Sequence, residues 1–265
     1  MTEFNSASCG GVPGVSDTFA VGSLWTIDYA LQMASIGYSA AYIHTREEGV
    51  TYNVFSPSGG SNGTGGTSGS WTTNPPYYAL LVVAEALNSQ NGSIVTDLNV
   101  KKSKTDTKAS VVGYAVYDAG SLTVQQLVLF NYANVSSSDN SSVSFSVPAE
   151  VFSYNGNQPV TVKYLQAQDL QEKTNITWGG QTFANVDDGN PVDASWAPTN
   201  AQIDCSSDCL IDVPGPGLAV VFAAYNDPSS NSGNPNAAWI ILPNINLELF
   251  GVLCTIVAYS SLFCL

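Results

Sequence analysis

Positive charge is scarce in this chain. Seven Lys and Arg face 21 Asp and Glu, for a net charge of −14. Binding to a phosphate backbone needs clustered cations, so the balance excludes nucleic acid as a partner. Four of the lysines do cluster, at Lys101, Lys102, Lys104 and Lys108. They read as a solvated strand edge kept from pairing by its charge. Histidine is scarcer still. His44 stands alone, so there is no Cys/His cluster to hold a metal and no base beside a nucleophile motif for a Ser-His-Asp arrangement. Nothing in the sequence calls for a cofactor. A secretory leader is also missing from the opening residues. Met-Thr-Glu-Phe-Asn-Ser reads as the end of a strand, and the expectation is that further chain belongs before it, making Met1 an internal residue.

What is present points outward from the cell. Five Asn-x-Ser/Thr sequons occur, at Asn62, Asn91, Asn134, Asn140 and Asn175. In an acidic, lysine-poor chain they favour the secretory route and N-glycosylation. Cysteine occurs five times, and Cys205 and Cys209 bracket Ser-Ser-Asp in a turn, a spacing that closes a small disulfide loop in an oxidising compartment. The expected location is therefore extracellular, secreted or at the cell surface.

Apolar residues make up 44% of the chain, enough for a packed core. The first third alternates short apolar runs with helical ones. A strand-like piece at 1–5 is followed by a loop with Cys9, Gly10 and Gly11. Ser16 and Asp17 supply a helix cap, and Phe19, Leu24, Ile27 and Leu31 keep helical spacing up to Gly37. Residues 39–44 suit a buried strand, and Pro75-Pro76 opens a second helix over 77–88. Strand, helix, strand, helix is two βα units, an α/β piece. Two such units cannot bury their own sheet, and the expected partner lies outside the chain.

From about residue 91 the pattern becomes all-β. The runs 111–117, 122–132, 143–147, 160–166 and 217–223 are rich in Val, Tyr, Phe and Leu. Turns of Gly, Asn, Asp and Ser separate them, as in an antiparallel β-sandwich. Residues 224–265 form a polar linker and a hydrophobic tail, uncharged from Leu249 to Leu265. The tail fits a GPI-attachment signal, with a transmembrane anchor or translated non-coding sequence as the rival readings.

Glu3 is the candidate for chemistry. It ends a strand and precedes a Gly-containing loop, the place where a barrel aims carboxylates at its active face. From Thr2 to Ala20, and again at Leu24-Trp25, the sequence resembles glycoside hydrolase family 79, the β-glucuronidase and heparanase group. The motif is Thr2-Glu-Phe-Asn-Ser, then Gly10-Gly11 and Ser16-Asp17-Thr18-Phe19. The likeness runs on through His44, Gly49-Val-Thr-Tyr52 and the Pro-Pro-Tyr-Tyr helix, and more loosely to about residue 223.

The resemblance implies the last two βα units of a (β/α)8 barrel over 1–90 and a β-sandwich over 91–223. It also implies that Glu3 is the nucleophile of a retaining hydrolase, whose two carboxyl groups flank the scissile bond. Tyr52, with Gly49 and Thr51 before it, would hold the carboxylate of a glucuronic-acid-containing glycan, with Gly10 and Gly11 close to the sugar. The family's acid/base glutamate lies on an earlier strand that this sequence does not contain. Glu47 and Glu48 follow the last strand and cannot replace it. The expectation is a chain that is inactive alone. The alternative is a non-catalytic, surface-anchored β-sandwich with accessory or structural duties. His44 and Arg46 sit at a strand's C-terminal end close to the inferred sugar site. They read as structural or as a local pairing with Glu47 or Glu48, with attraction of an anionic sugar by Arg46 as the alternative. Trp71 and Trp178 are read as packing residues.

Overall fold

The computed structural model describes residues 3–56, 71–134, 142–156, 158–186 and 189–223. It is mostly β-sheet. A π-helical segment, Phe19–Trp25, runs directly into α1, Thr26–Ser35, and α2 spans Pro75–Ala86. A short hairpin, β1 (Phe55–Ser56) with β2 (Thr72–Thr73), precedes α2. The strands that follow are β3 (Ser93–Asp97), β4 (Val111–Asp118), β5 (Val124–Asn131), β6 (Ser142–Val147) and β7 (Val160–Ala167). After them come β8 (Ile176–Trp178), β9 (Gln181–Thr182), β10 (Val192–Asp193), β11 (Ala201–Ile203), β12 (Cys209–Pro214) and β13 (Gly217–Phe222).

One large antiparallel sheet carries the strand order β10-β9-β8-β7-β13-β5-β4-β3, with β11 also pairing β7. A second sheet is the pair β12-β6. Side chains alternate between the two faces of a strand, and the large sheet is apolar on both. Leu218, Val220 and Phe222 of β13 join Tyr114, Val128 and Phe130 on the face that packs against the helices. Ala219 and Val221 join Leu127, Leu129 and Val162 on the face covered by Ile211 and Val213 of β12. The result is three layers: helices, large sheet, small sheet.

Phe19, Leu24, Ile27, Leu31 and Tyr78 of the helical segments are buried in one core with the large sheet. Two expectations are corrected here. Ser16 and Asp17 do not cap the first helix. Thr18 does, accepting from the Val21 amide at 3.4 Å, while Phe19 and Ala20 donate their amides to the carbonyls of Glu172 and Leu170. The β7–β8 connection thus satisfies amides that a helix start leaves open, and Lys173 there binds Asp17 at 2.6 Å. The lysine cluster is not a strand edge either. Lys101 and Lys102 sit in a tight turn between β3 and β4, both with positive φ.

Residues 40–44 are half-buried and make a single parallel bridge, Phe4 with Ile43, rather than a buried strand. Cys205 and Cys209 are joined by a disulfide. Of the sequons, Asn91, Asn134 and Asn175 are exposed, whereas Asn62, Asn140 and the tail 224–265 lie outside the described residues. Among the described residues no helix is long and apolar enough to cross a membrane.

Two aspartates carry opposite pH signs, and the first of them, Asp28, ties a helix to the large sheet. Asp28 on α1 accepts from Tyr114 at 2.5 Å and Tyr132 at 3.0 Å. Burial pushes its carboxyl above the ordinary range, against the pull of those phenols. Asp118, at the end of β4, accepts from the Ser121 and Gly120 amides at 2.8 and 3.0 Å and from the Asn91 side chain at 3.1 Å. Those bonds, led by the Ser121 amide, lower its pKa from 3.8 to about 2.

A lowered folded-state value stabilises above the unfolded pKa and is lost as pH falls through the folded one. Asp118→Asn should therefore cost about 1–2 kcal/mol at neutral pH, the scale of a charge-assisted hydrogen bond. It should also flatten the loss of stability between pH 3.8 and about 2. Urea melts across that window check both. Asp28 works the other way, its contribution falling as pH rises from 3.8 through its raised value.

Candidate active site

The site is built on the parallel bridge. The Phe4 amide donates to Tyr42 and the His44 amide to Phe4, each at 2.9 Å. By the pleat of extended chain, Phe4 and Ile43 turn to one side and Glu3, Asn5 and His44 to the other. Phe4 packs near Trp25 and Tyr29, with ring centroids 6.5 and 5.3 Å away. It lines an apolar groove with Ala30, Met33, Ile43 and Ala79. Asn5 clamps the other side, its amide donating to the His44 carbonyl at 2.7 Å.

The loop after Glu3 folds back onto the loop after His44. The Gly10 carbonyl accepts from both the amide and the hydroxyl of Thr51, each at 2.9 Å. Gly10 and Gly11 have φ of +103° and +82°, backbone that other residues avoid. Gly11 also has no room: a Cβ there would sit 2.4 Å from the Thr51 hydroxyl and 2.9 Å from both the Ser16 hydroxyl and the Tyr52 ring. Gly11→Ala is expected to destabilise by about 2–3 kcal/mol through strain and displacement. It should pull the two loops apart, which would show as faster amide exchange at residues 49–52.

Three predicted or neighbouring side chains meet here. Glu3 is open, its side chain 64% exposed, and its Oε1 lies 3.5 Å from Nδ1 of His44. The Tyr52 hydroxyl lies 3.4 Å from the same nitrogen. Tyr52 is only 1% exposed, covered by the glycine loop. Gly49 turns the chain at φ +88° before Val50, Thr51 and Tyr52. Arg46 pairs with Glu47 at 2.9 Å.

Two further residues contribute, and only Asn53 is new to the reading of the sequence. His44, a strand-end residue near the inferred sugar site, lies 3.5 Å from Glu3 and 3.4 Å from Tyr52. The signal for it was its place opposite the Glu3 strand tip. Asn53 organises the loop between His44 and Tyr52. It accepts from the Thr45 hydroxyl and the Arg46 amide at 2.8 and 2.9 Å and donates to the Arg46 and Glu47 carbonyls at 3.1 and 2.9 Å. Nothing in the sequence around it announced that role. Trp178 is buried against Glu85, and Trp71 is exposed. Among the described residues no group of His, Cys, Asp and Glu has the makings of a metal site.

The arrangement offers one accessible carboxylate held near an imidazole, with a buried phenol behind and two glycines leaving the approach open. Comparison with known proteins gives a consistent frame. No curated protein matches. A solved structure of a 4-O-α-L-rhamnosyl-β-D-glucuronidase from Fusarium oxysporum 12S, in complex with Rha-GlcA, has a similar fold at a TM-score of 0.60 and 21% identity. The match covers 83% of this chain and 42% of that one, so this chain spans about two fifths of that enzyme's length. Residues 113–220, from β4 into β13, match the glycosyl hydrolase family 79 C-terminal beta domain. The strands from β4 into β13 thus carry a match to the C-terminal beta domain of glycosyl hydrolase family 79.

Proposed function

We propose that this chain is the C-terminal part of a retaining β-glucuronidase-like hydrolase, carrying the nucleophile but not the acid/base group. The observation that supports this most is the juxtaposition at the strand tip. The open carboxylate of Glu3 meets His44, which in turn meets Tyr52 packed under a glycine loop, in a chain that carries a β domain of a hydrolase family. In this reading residues 1–90 are the last two units of a (β/α)8 barrel, and the sandwich over 91–223 buttresses them. The substrate is a glycan bearing glucuronic acid. The Rha-GlcA bound in the Fusarium enzyme agrees with that class.

The chemistry follows from the two-carboxylate logic of retaining glycosidases. A carboxylate oxygen of Glu3 attacks the anomeric carbon, the bond to the leaving oxygen breaks, and a second carboxylic acid protonates that oxygen. Water then cleaves the glycosyl ester, and the second group takes its proton. Here that second group belongs to chain outside residues 1–265. Without it the rate forfeits about 10²–10⁴-fold from acid–base catalysis alone.

The loop Gly49 to Tyr52, with Gly10 and Gly11, forms the wall that selects the substrate carboxylate through amides and the phenol, with no added cation near the nucleophile. The covered position of Tyr52 requires the glycine loop to shift for its hydroxyl to reach a ligand. The protein is secreted or displayed at the cell surface, glycosylated at exposed sequons, with the apolar tail as its membrane attachment.

The test is hydrolysis of an aryl β-D-glucuronide. The chain of residues 1–265 should give no turnover, whereas the longer in-frame product, carrying an Asn-Glu strand motif upstream, should turn over. Turnover by the short chain overturns the division of catalytic groups, and an inactive longer product overturns the enzymatic reading.

A further inference from the structure

Nδ1 of His44 faces two oxygens at nearly the same distance, Oε1 of Glu3 at 3.5 Å and the hydroxyl of Tyr52 at 3.4 Å. Exposure rises along this line. Tyr52 is 1% exposed, the His44 side chain 24% and the Glu3 side chain 64%. The imidazole is thus held from behind by a phenol embedded in the fold and presents its edge to a carboxylate at the surface. Its backbone is fixed as well, the amide bonded to the Phe4 carbonyl and the carbonyl to the Asn5 side chain.

A neutral imidazole carries a hydrogen on one ring nitrogen and a lone pair on the other. A lone pair on Nδ1 would point at the Glu3 carboxylate, which is repulsive, while a hydrogen there gives a donor for it. We propose that His44 is the positioning residue of Glu3: it keeps its hydrogen on Nδ1 and aims the carboxylate that the proposed function assigns as nucleophile. The Tyr52 oxygen shares that hydrogen and keeps the ring from rotating. A neutral N–H orients the carboxylate while drawing off less of its charge than a cation would, which suits a group that must attack carbon. The residues facing the imidazole are Glu3 and Tyr52, and the nearby Arg46 is engaged by Glu47 at 2.9 Å. This inference rests on the proposed role of Glu3 but is measured without turnover.

Because the sequence has one histidine, its ring signals need no assignment. A two-bond proton–nitrogen correlation spectrum at mildly alkaline pH reports which nitrogen carries the hydrogen. In the unaltered chain Nδ1 should be protonated. In Glu3→Ala the hydrogen should move to Nε2, with Tyr52 donating to the bare Nδ1. In Tyr52→Phe it should stay on Nδ1, while the ring signals broaden. Glu3 is exposed and Tyr52→Phe removes one atom, so both variants should keep the fold, which the amide dispersion checks. A bare Nδ1 in the unaltered chain, or the same tautomer with and without Glu3, overturns the inference. Either outcome leaves the hydrolysis test of the proposed function standing on its own.

Discussion

Glu85→Ala is expected to cost the fold about 3–5 kcal/mol, the scale of breaking one side of a buried ion pair. Glu85 projects from α2 toward the sheet, where both carboxylate oxygens accept from Nζ of Lys163 at 2.9 Å. One of them also accepts from the indole nitrogen of Trp178 at 2.7 Å. The lysine lies over the Trp178 ring, 4.6 Å from its centroid. Side-chain exposures of 12% for Lys163 and 17% for Glu85 leave little room for water to replace the lost carboxylate.

The alanine variant takes the carboxylate from between α2, β7 and β8, and the Trp178 indole N–H loses the acceptor it had at 2.7 Å, which adds to the cost. Glu85→Gln keeps an acceptor for the indole and should cost about 1–2 kcal/mol. A paired Glu85→Leu, Lys163→Leu change removes both charges and should recover most of the loss. Urea midpoints for the variants give the comparison. An alanine midpoint within error of the parent would mean the pair is solvated and holds nothing together.

The strands were legible because burial on both faces leaves a plain mark. Val111 to Tyr117 and Gly217 to Ala223 are almost wholly apolar, and both are interior strands of the large sheet. Their order was not legible. The last strand, β13, inserts between β5 and β7, and nothing local distinguishes a strand that ends a sheet from one that completes its centre. The helices were visible by spacing, but an apolar stripe says only that something covers it. Leu24 and Ile27 could have faced a barrel sheet. They face a core shared with Val128, Phe130 and Leu218.

At the site, Glu3 was marked first by its place at a strand tip before a glycine loop, whereas Gly11 and Tyr52 came from a motif likeness. The π-helical start of the first helix was also hidden, because its free amides are taken by residues 170 and 172, about 150 positions along the chain. Contacts of that separation are what a local reading omits. Asn53 is of the same kind: four bonds within one loop, none foreshadowed by its neighbours in sequence.

The catalytic prediction is larger in effect and narrower in place. In the turnover-competent product, Glu3→Gln should lower kcat/KM by on the order of 10³-fold or more. That corresponds to about 4 kcal/mol or more of lost transition-state stabilisation, because an amide cannot form the glycosyl ester that divides the reaction into two easier steps. The substitution is nearly isosteric, and the amide oxygen can take the place of the carboxylate oxygen that faces Nδ1 of His44 at 3.5 Å. With the side chain 64% exposed, stability should change by no more than about 0.5 kcal/mol. That separation decides between the readings of Glu3. A terminal acid of no consequence would leave both rate and stability unchanged, and a structural acid would move stability first. Only a nucleophile loses the rate while the melting curve stays where it was. Tyr52→Phe supplies the contrast: under the proposed function its hydroxyl is assigned to the substrate carboxylate, so its removal should raise KM by about tenfold with a smaller change in kcat.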